Sequence, residues 1–355
     1  MKRQPIRLLV GILVGTVLFF SVGEGRGADH QAIQAPPISL GTSGGNIHNH
    51  SRRYCCSGTL GALVQKGSTY YILSNNHVLA RTNKGRIGEE ITQPGLVDYD
   101  CGLGVYQIVA TLSDFVPVSF ARRRTNVVDA AIAQIITGKV GVDGNILDVG
   151  QISGSTVPPT IGLAIQKSGR STGHTLGTIA AIDATIHVRY FSRCGSRLGR
   201  TATFVNQILI NGAGFSRAGD SGSLVLNRAS PPNAVGLLFA GSETTTVCNP
   251  IKDVLAALGV SLVGTASIPV GSMNLLQHAS AAEVAVARAV KARHEAAIFA
   301  SHPAVCGVGI GRGAVERVVI HVYAERDLRS VRRAIPHMLD GVSVEVIETG
   351  EIIAY

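Results

Sequence analysis

A chain of 355 residues is long enough for two or three compact domains, each with its own hydrophobic core. With 45% hydrophobic and only 15% charged residues, the composition excludes a chain that is disordered throughout. The 42 glycines favour a turn-rich β fold over a helical bundle. The net charge of +9 is spread along the chain apart from Arg122–Arg124, which lack interleaved aromatic residues, so we predict no nucleic-acid-binding surface.

Residues 1–28 have the layout of a signal peptide. An uncharged run, Leu8–Val22, follows three basic residues and precedes small residues from Gly23 onward. The run is short for a membrane span, so we predict a secreted or extracytoplasmic protein. Association with a membrane is expected only if this segment stays uncleaved. Residues 29–54 are then predicted to be an N-terminal extension.

Six cysteines in an exported chain allow up to three disulfides, but the sequence leaves their pairing open. They are Cys55, Cys56, Cys101, Cys194, Cys248 and Cys306. The first two lie close to His48 and His50, which raises the alternative of a zinc site. Because the spacing is crowded and exported thiols tend to oxidise, no metal and no cofactor are predicted.

The middle of the chain predicts two β domains, because short apolar runs alternate with Gly, Asn, Asp and Pro. The first set of runs defines a barrel over residues 55–145. After a stretch rich in glycine and proline, the second set defines a barrel over residues 146–263. Its last apolar run, Val254–Leu258, is predicted to be a closing helix.

Residues 273–355 are predicted to form a small α+β module. Between Met273 and Ser301 the apolar residues recur at helical spacing, which indicates a long amphipathic helix. Strand-like runs and a short helix near Leu328–Arg333 follow it. We find no catalytic motif in this module.

The strongest chemical signal is the run Gly219–Gly222, which reads Gly-Asp-Ser-Gly. Glycine on either side of the Asp-Ser pair permits backbone angles that expose the serine hydroxyl. The amides of Gly219 and Ser221 can then point at one spot and form an oxyanion hole, which stabilises negative charge on an attacked carbonyl. Ser221 is therefore the predicted nucleophile.

A serine hydroxyl needs a neighbouring base, and the base needs an acid that fixes its tautomer. His77 follows an apolar strand at the point where it gives way to a turn, which suits the base. Asp129 begins another buried strand, where a carboxylate is costly unless it is paired. The chain order His, Asp, Ser differs from that of subtilisins and of α/β-hydrolases. We predict His77, Asp129 and Ser221 as a catalytic triad.

These motifs resemble those of the trypsin-like, or chymotrypsin-fold, serine peptidases over roughly Ser57–Gly259. The resemblance implies a double antiparallel β-barrel with its active site in the cleft between the barrels. It also implies that the strand ending at Phe239, Ala240, Gly241 and Ser242 pairs with the substrate backbone. Residues 169–173, Gly-Arg-Ser-Thr-Gly, resemble a branch that includes narrow-leaf-type proteins.

The chain also departs from the family pattern. It lacks the Ile-Val-Gly-Gly start that in digestive members follows activation cleavage and pairs with the aspartate matching Asp220. No cysteine directly follows His77, so the family's usual disulfide there cannot form. The stretch Phe204–Phe215 contains no acid, so we expect small or apolar side chains, rather than Lys or Arg, before the scissile bond.

The sequence therefore predicts an all-β fold with a small C-terminal α+β module, acting as a secreted serine endopeptidase on protein or peptide substrates. The alternative is a trypsin-like binding module with little or no turnover, since a fold does not guarantee a function. A third possibility is an esterase, because the same acyl-transfer chemistry cleaves esters.

Overall fold

The computed structural model describes residues 29–196, 198–265, 280–313 and 316–355. The predicted signal peptide lies outside these ranges, as do the first residues of the predicted C-terminal module, 273–279. Among the helices of the described part, none is both long enough and apolar enough to span a membrane.

The first part of the chain is built from short strands, as its alternating apolar runs predict. Its elements are β1 Thr42–Asn46, β2 Gly58–Leu60, β3 Ala62–Lys66, β4 Thr69–Ser74, α1 Asn76–Leu79, β5 Glu90–Gln93, a 3-10 segment Leu96–Gly102, β6 Gln107–Phe115, β7 Thr125–Asn126, β8 Ala131–Ile135, β9 Asn145–Ile146 and β10 Gly150–Gln151.

The second part contains longer strands and the predicted closing helix. Its elements are β11 Ala164–Gly169, β12 Gly173–Phe191, β13 Gly199–Asn211, β14 Leu224–Asn227, β15 Ala234–Gly241, β16 Thr245–Pro250, α2 Ile251–Leu258 and β17 Ser261–Leu262. The third part holds α3 Ala281–Ser301, β18 Val305–Arg312, β19 Val318–Ala324, α4 Leu328–Ala334, β20 Met338–Leu339, β21 Val342–Glu348 and β22 Ile353–Ala354.

The first sheet has the strand order β17-β3-β4-β8-β6-β5-β1-β2. Only Gly61 separates β2 from β3, so the strand at one end of this order continues into a strand near the other end, and the sheet curls into a barrel. Its interior is filled by apolar side chains such as Leu63, Ile72 and Ile132, all almost fully buried. Strand β1, from the predicted N-terminal extension, pairs with β2 and β5 and is therefore part of this sheet.

The second sheet closes in the same way. Strands β12-β11-β14-β15-β16-β13 are neighbours in that order, and β13 pairs back with β12 to complete the ring. The fold class is thus confirmed as all-β, with two antiparallel barrel-like sheets. The closing helix α2 begins at Ile251 and ends before Gly259, which adopts the left-handed conformation that commonly ends a helix.

The C-terminal elements extend the second sheet. Strand β18 pairs with the outer part of β12, in register Ile182 with Ile310 and Ile186 with Gly307, and β19, β21 and β20 follow outward. Helix α3 covers this extension, and Val290 and Ile298 share one apolar cluster with side chains of the second barrel such as Ile165. The last strand, β22, runs back to lie between β12 and β15. It brings the C-terminal residues to the cleft between the barrels.

Candidate active site

His77 lies on α1, a single helical turn directly after β4. The side-chain amide of Asn75, two residues before His77, supports this turn by donating to the Asp129 main-chain oxygen at 2.7 Å. Asp129 itself lies just before β8, and its amide donates to the Asn249 side chain of the second barrel at 2.9 Å. The end of one strand and the start of another therefore hold the imidazole and the carboxylate at the boundary between the barrels.

The structure brings His77 and Asp129 into direct contact. The imidazole Nδ1 lies 2.7 Å from Asp129 Oδ2, and the His77 amide donates to Oδ1 at 3.2 Å. Asp129 has no exposed surface, so a lost hydrogen bond to its carboxylate is costly. This pairing holds the ring with Nε2 directed away from Asp129, as a histidine acting as a general base requires.

Tyr190 on β12 is a third partner of the carboxylate, which the sequence analysis missed. Its hydroxyl donates to Asp129 Oδ2 at 2.7 Å, and its ring meets that of His77 edge to face. Burial, and then the Asp129 charge, raise the Tyr190 pKa well above its usual value. The hydroxyl therefore keeps the proton that it donates to Asp129. Nothing in the run Ile186–Tyr190 distinguishes this tyrosine from other alternating strand residues.

Ser221 lies in the turn before β14. The turn depends on Gly219 and Gly222, whose φ angles of +98° and +95° favour glycine, and a Cβ at Gly222 would come within 2.2 Å of the Thr59 oxygen. The Ser221 hydroxyl donates to the main-chain oxygen of Phe239 at 3.1 Å. Among the described residues it makes no hydrogen bond with His77, whose Nε2 contacts the Tyr355 main-chain oxygen at 2.8 Å.

The two predicted oxyanion donors lie on this same turn. The Gly219 carbonyl accepts a hydrogen bond from the Thr59 hydroxyl at 2.9 Å, which fixes the orientation of the following peptide. In the part of the chain that the structure covers, neither the Gly219 nor the Ser221 amide donates to another protein group. Two main-chain donors without a protein acceptor thus lie on the turn that carries Ser221.

Asp220 anchors the turn from within. Its fully buried carboxylate accepts hydrogen bonds from the amides of Ser171 at 2.8 Å and Arg217 at 2.9 Å, and lies 3.7 Å from the Lys167 ammonium. Burial lowers the Lys167 pKa to about 8, and the Asp220 charge opposes that shift. The sequence analysis missed Lys167. A lysine inside the apolar run of β11 was the available signal, because a buried ammonium requires a partner.

The Gly-Arg-Ser-Thr-Gly run, residues 169–173, supports the turn as well. The Ser171 hydroxyl donates to the Ala218 oxygen at 2.6 Å, and the Thr172 hydroxyl donates to Asp220 Oδ2 at 2.8 Å. Arg170 forms a two-pronged ion pair with Asp98 on the 3-10 segment. The run therefore ties the serine-bearing turn to both barrels.

The predicted substrate strand is already paired with the end of the chain. Ala354 lies opposite Ala240, and Ile353 lies opposite Gly241 in an antiparallel register. The Tyr355 amide donates to the Phe239 oxygen at 3.4 Å, and the Tyr355 hydroxyl donates to the oxygen of Ser242 at 2.9 Å. All four predicted substrate-binding residues, Phe239, Ala240, Gly241 and Ser242, thus contact the C-terminal residues.

The cysteines form two disulfides in the described chain. Cys55 pairs with Cys101, and Cys56 pairs with Cys194 near the tip of the β12–β13 hairpin. The alternative of a zinc site has no thiolate ligands left, because the two cysteines near His48 and His50 both form disulfides. Within the described residues no group of three or more His, Cys, Asp or Glu side chains is arranged to hold a metal ion. Cys248 and Cys306 are buried free thiols.

No family model matches the chain, and no curated protein matches it. It is similar to solved structures of serine proteases. A glutamic-acid-specific serine protease has 20% identity and a TM-score of 0.43, with 63% of this chain and 100% of that chain covered. Protease A of Thermobifida fusca has 19% identity and a TM-score of 0.42, with 64% and 99% covered. Cellulomonas bogoriensis chymotrypsin has 19% identity and a TM-score of 0.40, with 64% and 99% covered.

Proposed function

We propose that this chain is a secreted serine endopeptidase with His77, Asp129 and Ser221 as its catalytic triad. One observation carries the proposal: the His77 imidazole contacts the fully buried Asp129 carboxylate through Nδ1 at 2.7 Å, and its Nε2 contacts the Tyr355 main-chain oxygen at 2.8 Å. Nε2 thus meets a main-chain oxygen at the place where a base would meet its substrate. The two disulfides support an extracytoplasmic location.

The proposed reaction is acyl transfer. His77 Nε2 takes the proton of the Ser221 hydroxyl as the oxygen attacks a peptide carbonyl carbon, and Asp129 stabilises the resulting imidazolium. The amides of Gly219 and Ser221 donate to the oxyanion. His77 then protonates the leaving amine as the C–N bond breaks, and water activated by the same imidazole hydrolyses the acyl-enzyme. No cofactor enters these steps.

A binding module with little turnover is the second candidate. The observation that favours it is the engagement of His77 by the Tyr355 oxygen while the Ser221 hydroxyl donates to Phe239. In that arrangement the base does not touch the nucleophile. Esterase activity follows from the same chemistry, and the finer likeness to narrow-leaf-type proteins stays a prediction.

Labelling with a fluorophosphonate probe separates catalysis from binding. We expect the chain ending at Ile352, which frees the cleft, to gain one probe mass, and Ser221→Ala and His77→Ala to lose labelling by about a thousandfold or more in rate. Intact mass spectrometry of the purified protein without residues 1–28 measures this.

The control is Ser223→Ala. Ser223 lies in the same turn, but its hydroxyl donates to the Asp220 oxygen at 2.6 Å, inside the protein. This variant should label at close to the parent rate. A folded parent chain that never labels would contradict the peptidase proposal and favour the binding module.

A further inference from the structure

The segment Ile352–Tyr355 enters the cleft as an added strand. It pairs antiparallel with β15 on one side and parallel with β12 on the other, where Arg189 lies opposite Ile353. An extended peptide that adds to a sheet edge gains affinity from main-chain hydrogen bonds and specificity from the pockets that receive its side chains. The segment is therefore positioned as a peptide ligand of the predicted substrate strand.

The Tyr355 side chain is half-buried in a pocket formed by Ser216, Gly241 and Ser242. Its hydroxyl donates to the Ser242 oxygen, and burial raises the Tyr355 pKa to about 12, with a hydrogen bond to Ser216 opposing the shift. A Cβ on Gly241 would lie 2.3 Å from the tyrosine hydroxyl, so glycine at this position leaves room for the ring. Ser216 and Ser242 thus offer polar groups to the tyrosine hydroxyl, and Gly241 leaves space for it.

The Tyr355 main chain reaches the proposed reacting groups. Its oxygen lies 2.8 Å from His77 Nε2, and its amide shares the Phe239 oxygen with the Ser221 hydroxyl. Ser221 has no exposed surface in this arrangement. The segment contacts the base and shares the main-chain acceptor of the nucleophile, so it excludes another peptide from the same place.

Contacts with the C-terminal module and with β12 fix the chain where the segment Ile352–Tyr355 enters the cleft. Strand β21 leads into Thr349, whose amide donates to the Ala324 oxygen at 2.9 Å. The Ile352 oxygen accepts a hydrogen bond from the Arg189 amide at 2.9 Å, and Ile352 is almost fully buried. The Arg189 and Glu351 side chains pair at 2.7 Å on the surface. The last residues leave a fixed strand and meet the cleft at a fixed register.

We propose that the cleft selects tyrosine immediately before the scissile bond, and that the Ile352–Tyr355 segment is an intramolecular inhibitor bound in the position of that substrate residue. The proposal rests on the endopeptidase function above and deepens it. It replaces the sequence-based expectation of small or apolar side chains, because the pocket contains a tyrosine ring and accepts a hydrogen bond from its hydroxyl.

Binding is tested first, without catalysis. The Ser221→Ala chain ending at Ile352 is titrated by anisotropy with a fluorescent tripeptide acid, Ile-Ala-Tyr, which matches the residues removed. We expect saturable binding, and at least about tenfold weaker binding of Ile-Ala-Ala, because loss of the ring removes a buried aromatic surface. The full-length Ser221→Ala chain should bind the tyrosine peptide at least about tenfold more weakly, since its own segment competes.

Activity is tested next with the active protein. The chain ending at Ile352 and the full-length Tyr355→Ala variant should react with the fluorophosphonate at least about tenfold faster than the unaltered chain, and the tyrosine peptide should slow them again. Glu348→Gln is the matched control, since Glu348 is an exposed residue of β21 outside the segment, and its replacement keeps the ring and the strand; its labelling rate should change less than about twofold.

The outcomes separate the two proposals. Equal binding of the tyrosine and alanine peptides, or equal binding to the full and shortened chains, would overturn the inference whatever the labelling shows. Selective binding of the tyrosine peptide, with no labelling of the folded shortened chain, would support the tyrosine pocket and its occupation by the segment. The same result would contradict the proposed peptidase function.

Discussion

Tyr190 gives the Asp129 carboxylate a hydrogen-bond donor from the second barrel. The carboxylate also accepts from the His77 ring and amide, so three donors surround a group with no exposed surface. A buried carboxylate keeps its charge only when its oxygens are satisfied. In the proposed reaction Tyr190 would therefore act through Asp129, as a positioning residue for the imidazole.

We expect Tyr190→Phe to lower kcat/KM by about 5- to 30-fold, because a lost hydrogen bond to a buried charge costs about 1–2 kcal/mol. The measurement is kcat/KM of the shortened chain on a peptide with tyrosine before the scissile bond. Tyr323→Phe is the control: this tyrosine is equally buried, but its hydroxyl meets His321 at 3.2 Å in the C-terminal module. Unchanged kcat/KM in Tyr190→Phe would contradict the role.

The Lys167–Asp220 pair places a second charge inside the protein. Lys167 also donates to the Gly173 main-chain oxygen at 2.9 Å, so the end of the 169–173 run holds the ammonium as well. Its folded pKa of about 8 lies below the ordinary 10.5, because burial disfavours the charged form. Between these two values the unfolded chain binds the proton that the folded chain has released. Folding is therefore favoured as the pH rises through this window.

A pH series tests this sign. In a Ser221→Ala background, the unfolding free energy of the parent minus that of Lys167→Met should rise between pH 8 and pH 10, by at most about 1.4 kcal/mol per pH unit. Chemical denaturation at each pH gives both values. A difference that is flat or that falls with pH would show that the ammonium stays charged in the folded protein.

At the scale of elements, the sequence predicted the strands around the site well because each is a short apolar run that ends at a turn residue. The strand before His77 and the strand after Asp129 are of this kind, and the helix α2 was predicted from Val254–Leu258 within the observed Ile251–Leu258. The length of β12 was not predictable. Its 19 residues contain two apolar runs, Leu176–Ile182 and Ile186–Tyr190, and Asp183 between them is of a residue type common in turns.

The local pattern also could not reveal which distant groups meet. Asp183 has a φ of 50°, where β12 bulges between its pairings, so one continuous strand borders the second barrel, the module and the cleft. The disulfide between Cys56 and Cys194 spans 138 residues, and the Tyr355 contact with His77 spans 278. Such contacts depend on the closure of the whole sheet. The triad candidates could be predicted from the sequence because each lies in a motif of a few consecutive residues.

At the scale of the whole molecule, the C-terminal module is a continuation of the second sheet as well as the source of the cleft segment. Val308 and Ile310 are fully buried on β18, which pairs with β12. Removing the module uncovers this edge of β12 and the apolar side chains around it. An exposed strand edge invites pairing with other chains.

A chain ending at Thr265 tests the predicted boundary at residue 263. We expect it to keep fluorophosphonate labelling, because the barrels and the serine-bearing turn are complete without the module. We also expect its melting temperature to fall by several degrees or more relative to the chain ending at Ile352, because buried apolar contacts are lost. Calorimetry and size-exclusion chromatography measure this. An unfolded chain would show that the second barrel depends on the module.

The connection of Ile352–Tyr355 to the rest of the chain has a further consequence. A tethered ligand meets its site at an effective concentration set by its connection, which for short tethers reaches the millimolar range. Dilution does not change that concentration, so the proposed inhibition persists at any protein concentration, unlike inhibition by a second molecule. A substrate must instead compete by its own abundance, or the last residues must be removed, before the cleft becomes available.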